Sequence, residues 1–176
     1  RMSDLPTGWA WSTLGEVADV IAGPAFKSKE FVDSDQGVAL LRGDNIEPGR
    51  LRWRGARAWP SEKLEGLDHL YVREGDVILA MDRPVVSAGL KLARVTPADT
   101  PALLVQRVAR IRACNDFLPG YAYAVLQQGA FVAHLLGGQT GTQIPHVNLA
   151  SIRRYQVPVP PLCEQRRIVA AIEEHF

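Results

Sequence analysis

The stretch Glu74-Gly75-Asp76-Val77-Ile78-Leu79-Ala80-Met81 decides the fold class of this chain. Its charged, glycine-containing turn leads into five consecutive apolar residues, a pattern typical of a short strand. Similar apolar runs between turn residues fill residues 37–112. Their spacing favours a mostly antiparallel twisted sheet, with predicted strands at Val38–Leu41, Leu51–Trp53, Val77–Met81, Leu90–Val95 and Leu103–Ile111.

Helical patterns flank this β-rich region. Thr13 and Glu16 have the spacing of a capping box, which predicts the start of a short helix. Apolar residues recur at three- to four-residue intervals from Tyr121 onward, and Gly137-Gly138 ends that predicted helix. Tyr155–Val159 follows as an edge strand. The sequence therefore predicts an α+β fold, a mostly antiparallel sheet with a few helices.

The last stretch, Leu162–Phe176, predicts a helix with one apolar stripe. No Gly or Pro stop signal precedes its end, so we expect the helix to continue or to pack against a partner. We predict a first domain over residues 2–158, with Met2 as the natural start, and the beginning of a long helix over residues 159–176. The stripe that would contact a partner consists of Ile168, Val169, Ile172 and Phe176.

The composition describes one ordinary domain, since the 176 residues are 47% hydrophobic and 22% charged with a net charge of +1. No window approaches the run of about 18 apolar residues that a membrane span needs. The N-terminus lacks the apolar stretch of a signal peptide. We therefore expect a cytoplasmic protein that does not contact membranes.

The residue types that support metal or nucleophilic chemistry are scattered. Cys114 and Cys163 form no CxxC pair, and no GxSxG motif is present. The histidines never have the HExxH spacing of a helix-borne metal site; they are His69, His134, His146 and His175. The sequence therefore predicts no catalytic residue and no metal site.

Arginine supplies 16 of the 20 basic residues, and its guanidinium group forms bidentate contacts with phosphates and guanine edges. Arg50, Arg52 and Arg54 alternate with apolar residues, so in a strand their side chains share one face. Arg57 extends the cluster. Stacked like charges favour an anionic partner such as nucleic acid, and the alternative is a solvated strand face that is paired with acids elsewhere.

Several motifs occur in one order along nearly the whole chain. They are Leu5-Pro-Thr-Gly-Trp9, Leu14-Gly-Glu-Val17, Gly23 through Lys27-Ser28 to Phe31, Leu41-Arg-Gly-Asp-Asn-Ile46, Glu74-Gly-Asp-Val-Ile-Leu79, Gly141-Thr-Gln-Ile-Pro-His146 and Val157-Pro-Val-Pro-Pro-Leu-Cys-Glu-Gln-Arg-Arg-Ile168. In this order they resemble the specificity subunit of type I restriction-modification systems. The ending with Pro-Pro-Leu-Cys-Glu-Gln-Arg-Arg-Ile is the most specific of them.

This resemblance implies a non-catalytic target recognition domain over residues 2–158, followed by the start of a conserved helix. Such a domain reads one half of a bipartite target in double-stranded DNA. The implied partners are methyltransferase (M) subunits, a restriction (R) subunit, and a second recognition domain or a second copy that is bound through the helix. S-adenosylmethionine, ATP and Mg²⁺ are implied in the partner subunits, and no cofactor is implied in this chain. Both a piece of a longer subunit and a half-length subunit that dimerises fit the sequence.

The resemblance places base readout in the stretches that match no family motif, residues 50–59 and 83–91. We predict base or groove contacts from Arg50, Arg52, Arg54, Arg57 and Arg83. The motif positions are predicted to contact the DNA backbone or to hold loops in place; they are Lys27, Ser28, Arg42, Asn45, Thr140, Thr142 and His146. Arg42 has a second interpretation, a structural ion pair with Asp44.

Two other classes of function fit parts of the sequence. A small metal-dependent nuclease would cleave DNA by itself, although no acidic-x-Lys element follows Asp82. A protein-interaction scaffold would use the terminal helix and the surface around Trp9 and Trp11. Salt-dependent DNA affinity separates a DNA reader from such a scaffold.

Overall fold

A computed structural model describes residues 4–114, 116–137 and 146–175. The strands in this part of the chain are β1 (Ala10–Thr13), β2 (Ala18–Ala22), β3 (Gly37–Leu41), β4 (Ile46–Glu47), β5 (Arg50–Leu51), β6 (Ala58–Pro60), β7 (Val77–Ala80), β8 (Val85–Val86), β9 (Gly89–Leu90), β10 (Leu92–Arg94), β11 (Ala102–Leu104), β12 (Val108–Ala113) and β13 (Gln156–Val159). The α-helices are α1 (Leu14–Val17), α2 (Pro119–Leu126), α3 (Gly129–Leu136), α4 (Leu149–Arg153) and α5 (Leu162–Glu173). The predicted α+β class is confirmed.

The largest sheet has the order β10-β7-β12-β2, and all its pairings are antiparallel. The apolar run that was quoted first forms its β7 strand, in which every residue is buried. Val77 and Leu79 face one hydrophobic core together with the helices. Ile78 and Ala80 face a second core on the opposite side, as the two-residue period of a strand requires. The sheet is therefore covered on both faces.

A smaller sheet has the order β11-β3-β6. It is mixed, because β11 runs parallel to β3 whereas β6 runs antiparallel to it. The predicted single strand Leu103–Ile111 is wrong, since it divides into β11 and β12, which belong to different sheets. The chain changes sheets at Gln106 and Arg107, the polar residues that interrupt the apolar run.

Gly23 brings a loop against the turn between β11 and β12. A Cβ atom at this position would lie 2.3 Å from the carbonyl oxygen of Leu104, so a side chain would force the two segments apart. The loop continues through Pro24, whose carbonyl accepts a hydrogen bond from the Gln106 N–H group at 2.9 Å. This close approach fixes the loop at Gly23 and Pro24 against the turn.

The helices follow the predicted pattern with one division. The Thr13 N–H group donates to Glu16 Oε2 at 2.9 Å, which confirms the capping box of α1. The single predicted helix after Tyr121 is two helices, α2 and α3, separated at Gln127 and Gln128. Gly137 ends α3 in the left-handed conformation with φ of 58°, as a C-terminal glycine commonly does.

The start of α5 is anchored to the domain by polar contacts. Gln165 is fully buried. Its Oε1 atom accepts a hydrogen bond from the Leu118 N–H group at 2.8 Å, and its Nε2 atom donates to the carbonyls of Asp116 and Pro160. Trp9 Nε1 donates to Glu164 Oε2 at 2.8 Å. These contacts fix the direction in which α5 leaves the domain.

Two arginines on β12 form ion pairs at the largest sheet. Arg112 pairs with buried Asp76 in a bidentate geometry, and Arg110 pairs with Asp19 on β2. Both guanidinium groups also donate to carbonyls of the loop at residues 69–71. Burial lowers the pKa of Arg110, and the Nε atom of that residue lacks a hydrogen-bond partner among the described residues. The hydrogen bonds to these carbonyls connect the sheet to the loop at residues 69–71.

Within the described ranges, no helix has both the length and the apolar character needed to cross a membrane.

Candidate nucleic-acid interface

The segments that follow β3, β7 and β11 meet at a groove of about 670 Å³, which is called the basic groove below. Four cationic side chains line it, namely Arg42, Arg83, Lys91 and Arg107, together with the carboxylates of Asp44 and Asp82. The cations outnumber the carboxylates, so the groove carries local positive charge although the net charge of the chain is only +1. An anionic ligand is the kind that this surface attracts.

Lys91 and Arg42 are held at the groove by neighbouring groups. Lys91 Nζ donates to the Gly43 carbonyl at 2.6 Å, which joins the connection between β9 and β10 to the turn after β3. Arg42 lies 3.5 Å from Asp44 and its guanidinium lies over the Phe31 ring at 6.0 Å from the ring centroid. The ion pair with Asp44 is thus present, as the second interpretation of Arg42 predicted.

Asp82 connects two segments of the groove that are distant in sequence. Its Oδ1 atom lies 2.8 Å from His146 Nδ1, and its Oδ2 atom accepts a hydrogen bond from Arg107 Nη1 at 2.7 Å. The hydrogen bond with His146, followed by that from Arg107, lowers the pKa of the Asp82 carboxyl group. Asp82 is therefore an ionised group that anchors the side chains of His146 and Arg107.

Backbone pairing holds this arrangement. The Met81 N–H group donates to the Arg107 carbonyl at 2.9 Å, and the Met81 carbonyl accepts from the Val147 N–H group at 2.8 Å. Ala80 pairs with Val108 in the register of β7 and β12. The segment after β7 therefore lies between the turn at residue 107 and the segment at residues 146–147, and both are fixed to the largest sheet.

The structure brings together some of the predicted contact residues. Ser28, Arg42 and Arg83 line the basic groove, and His146 contacts it through Asp82. Asn45 is only 6% exposed, and its amide group bonds the Arg42 N–H group and the Arg52 carbonyl. Asn45 thus holds the loop in place, which is one of the two roles predicted for the motif positions.

The predicted arginine strand does not form as expected. β5 ends at Leu51, so Arg50, Arg52 and Arg54 do not share one continuous strand face. Arg50 and Arg52 pair with Glu47, at 2.7 Å and 3.3 Å. Arg57 pairs with Asp33 at 2.6 Å. This is the alternative that the spacing left open, a solvated surface paired with acids.

None of these arginines is among the groove-lining residues, and Lys27 pairs instead with Glu30 at 4.0 Å. DNA contact by Arg50, Arg52, Arg54, Arg57 and Lys27 therefore stays a prediction that rests on the sequence. Thr140 and Thr142 lie outside the described residues.

Sequence reasoning named neither Lys91 nor Arg107 as a contact residue, although Lys91 lies in the stretch 83–91 that was predicted to take part in base readout. Lys91 follows Gly89 and Leu90, and Arg107 lies inside a long apolar run, so both were included in predicted strands. The available signal was the polar pair at residues 106 and 107, which breaks the run where the chain turns. A charged residue at such a break is more often at a loop than in a strand core.

The apolar stripe of α5 is used in part by the domain itself. Ile168 and Val169 are half-buried and pack against the core that includes α2. Ile172 is 37% exposed and lies with Val169 at a second, smaller groove beside α2. The domain therefore covers part of the surface that the sequence assigned to a partner, and partner contact by the stripe stays a prediction. Phe176 lies outside the described residues.

Among residues 4–114, 116–137 and 146–175, no three side chains of His, Cys, Asp or Glu are grouped to hold a metal ion.

Residues 6–176 match a family described as the type I restriction modification DNA specificity domain. The chain is 29% identical over 171 residues to the type I restriction enzyme EcoAI specificity subunit of Escherichia coli. It is 27% identical over 174 residues to the MjaVIII specificity subunit of Methanocaldococcus jannaschii. These alignments cover 97% and 98% of this chain.

Solved structures show the same fold. The crystal structure of the HsdS subunit from Thermoanaerobacter tengcongensis superposes on 98% of this chain with a TM-score of 0.66 at 22% identity. The type I restriction-modification S subunit from M. genitalium superposes on 96% with a TM-score of 0.60 at 12% identity. This chain covers 38% and 40% of those two structures.

The chain belongs to the family of type I restriction-modification DNA specificity domains. The family predicted from the sequence is thereby confirmed, and its curated relatives are named as specificity subunits. The chain spans 29% and 40% of the length of the two curated relatives.

Proposed function

We propose that this chain is the recognition domain of a type I specificity subunit and that it reads one half of a bipartite target in double-stranded DNA. The observation that carries this proposal is the basic groove, which is assembled inside a domain that matches a DNA specificity family over residues 6–176. A surface that reads DNA needs cations for phosphates and directional donors for base edges. The groove offers both, because it contains three guanidinium groups and one ammonium group.

The second part of the proposal concerns partners. The domain binds methyltransferase subunits and a restriction subunit, and α5 contacts either a second recognition domain or a second copy. This chain spans only 29% and 40% of the length of two curated relatives, which leaves room for a second such domain in each of them. The exposed Ile172 at the groove beside α2 is the apolar surface on α5 that supports a helix contact.

The remaining parts of the proposal rest on the family resemblance. The domain itself is non-catalytic and resides in the cytoplasm. S-adenosylmethionine serves the methyltransferase subunits, and ATP with Mg²⁺ serves the restriction subunit.

A selection from a randomised duplex pool tests the proposal. The chain is mixed with its methyltransferase subunits, bound DNA is recovered and sequenced, and the selection is repeated with Arg83→Ala. We expect a short enriched motif that weakens in the variant. Arg73→Ala is the matched control, because Arg73 is an exposed arginine before β7, at the opposite end of that strand from Asp82.

Binding without an enriched motif, or no binding at all, would overturn the proposal and favour a scaffold. Incubation of the duplex with the chain alone and Mg²⁺ adds one more outcome. Strand cleavage in that reaction would replace the proposal by a nuclease.

A further inference from the structure

Arg83 and Arg107 have an unusual backbone conformation. Their φ angles are 45° and 61°, and among the described residues they are the non-glycine positions with positive φ. Side chains with a Cβ atom rarely adopt this region, and arginine gains no local hydrogen bond there as Asn or Asp does. Both residues line the basic groove. Strained backbone of this kind persists where the surroundings enforce it, and it concentrates at functional sites.

The surroundings enforce the conformation at Arg107. Its carbonyl accepts a hydrogen bond from Met81, and the preceding residue, Gln106, donates to the Pro24 carbonyl. β12 begins at the next residue, in register with β7. The turn is thus fixed on both sides. An arginine occupies this positive-φ position, although glycine would adopt it without strain.

Asp82 restricts the guanidinium group further. It accepts the hydrogen bond from Arg107 Nη1, although the Arg107 side chain is 68% exposed. An exposed arginine is normally free to adopt many rotamers, and a carboxylate partner reduces that freedom. The bond to Asp82 uses Nη1, which leaves the capacity of Nε and Nη2 for a ligand.

We propose that Arg83 and Arg107 are the base-reading pair of this domain, with Asp82 as the residue that positions Arg107. The proposal rests on the proposed function and names the chemistry that the site reads. A guanidinium fork donates in parallel to O6 and N7 of guanine in the major groove. Bidentate base contact requires a planar donor fork in a fixed orientation, which Asp82 gives to Arg107. Lys91 has no such fork, and neither Lys91 nor Arg42 has a positive φ, so we assign both to the phosphates.

Substitution of Arg107 by glycine separates the two roles of the residue. Glycine adopts a positive φ without cost, so we expect the thermal stability of Arg107→Gly to be equal to or above that of the unaltered chain. The affinity for the preferred motif should fall by about 5- to 150-fold, which corresponds to one lost bidentate contact. The affinity for unrelated duplexes should fall much less, and the enriched motif should lose its preference at one guanine.

Asp82→Asn tests the positioning role, with Asp44→Asn as the matched control. Both variants remove one negative charge from the same groove, so both should raise the affinity for unrelated DNA. Asp82→Asn alone releases Arg107, and we expect it to relax the motif at the same base pair that Arg107→Gly affects. Asp44→Asn should leave the motif unchanged.

The results that overturn the proposal are distinct from those that overturn the proposed function. Equal weakening for all sequences by Arg107→Gly would make Arg107 a phosphate contact. An unchanged motif in Asp82→Asn would reduce Asp82 to a structural residue. Absence of any motif for the unaltered chain with its methyltransferase would overturn both proposals. If Arg107→Gly does not fold, Arg83→Gly carries the same test at the second arginine of the pair.

Discussion

Asp76 and Arg112 form the buried ion pair on which a single substitution should have the largest effect. Asp76 is 2% exposed and accepts two hydrogen bonds from the Arg112 guanidinium, both at 2.8 Å. These bonds raise the pKa of Arg112. Arg112→Ala leaves a buried carboxylate without its charged partner, and among the described residues only the Arg73 N–H group still donates to it, so we expect a loss of about 3–5 kcal/mol in the free energy of unfolding.

Urea denaturation measures that loss. Arg50→Ala serves as the control, because Arg50 is also paired with a carboxylate but on the exposed surface; we expect a change of about 0–1 kcal/mol there. A similar small effect for Arg112→Ala would show that water reaches Asp76.

Tyr121 makes stability sensitive to alkaline pH. Burial, followed by the charge of Glu164, raises its pKa to about 12. The unfolded chain releases this proton first, near pH 10. The contribution of this group to the free energy of unfolding is therefore fully present below pH 10 and is lost as the pH rises toward 12.

Thermal denaturation of Tyr121→Phe between pH 8 and 12 tests the sign. Near pH 8 the free energy of unfolding of the variant should be lower by about 1 kcal/mol, because Tyr121→Phe removes the hydroxyl that donates to the Pro158 carbonyl at 2.8 Å. Its decline above pH 10 should be shallower than that of the unaltered chain. Burial also raises the pKa of Tyr123 and Tyr155, so part of the decline should remain. Parallel curves would contradict the assignment to Tyr121.

Single residues show what sequence can and cannot predict. The Thr13–Glu16 capping box and the Arg42–Asp44 ion pair were predictable, because their members lie within a few positions of each other. The pairs of Arg57 with Asp33 and of Asp82 with His146 join residues that are distant in sequence. A local sequence pattern does not predict such pairs. Long-range contacts of this kind nevertheless determine which arginines are already paired with a carboxylate, as Arg57 is with Asp33.

Strands and helices were predicted best where a single apolar pattern covers one whole element. β7, β13 and α5 appear where the apolar periodicity placed them. β1 was missed because its sequence, Ala-Trp-Ser-Thr, is half polar and its partner is β13 near the other end of the chain. β11 and β12 were merged because both are apolar, and only the fold assigns them to different sheets.

Gln165 controls the junction between the domain and α5. Gln165→Ala leaves the Leu118 N–H group and the carbonyls of Asp116 and Pro160 without their buried partner. We expect the free energy of unfolding to fall by about 2–3 kcal/mol. Each buried unpaired group costs about 1–3 kcal/mol, and some of the three groups form hydrogen bonds with water instead. Amide hydrogen exchange should accelerate in α5 more than in β7 and β12.

Arg166→Ala is the matched control for the junction, because Arg166 is the next residue on α5 and is exposed. We expect its effect on stability to stay within about 0.5 kcal/mol. Unchanged exchange in α5 of Gln165→Ala would show that apolar packing of Ile168 and Val169 is sufficient to hold the helix.

At the scale of the whole molecule, the basic groove is a product of topology. Its cations come from four separate stretches of the chain, and the parallel pairing of β11 with β3 brings two of them to neighbouring strand ends. The motifs identified Ser28, Arg42 and His146 because family resemblance marks positions without needing their contacts. Lys91 lies in the stretch 83–91 that the resemblance marked for base readout, whereas Arg107 is brought to the groove only by the strand order, which the sequence pattern did not predict.

Salt dependence measures how many of these cations meet phosphates. Each phosphate neutralised on duplex DNA contributes a slope of about −0.9 to the plot of log affinity against log salt concentration. Lys91→Gln retains a donor for the Gly43 carbonyl but removes the charge. We expect it to weaken binding by a similar factor for every sequence and to reduce the magnitude of the slope by about one.

The same titration with Arg73→Gln should leave the slope unchanged, because that arginine lies before β7 and away from the groove. Arg107→Gly, by contrast, should weaken binding to the preferred sequence above all others. If Lys91→Gln instead changed the enriched motif, the ammonium group would be reading a base edge, and the division between phosphate cations and base-reading arginines would have to be redrawn.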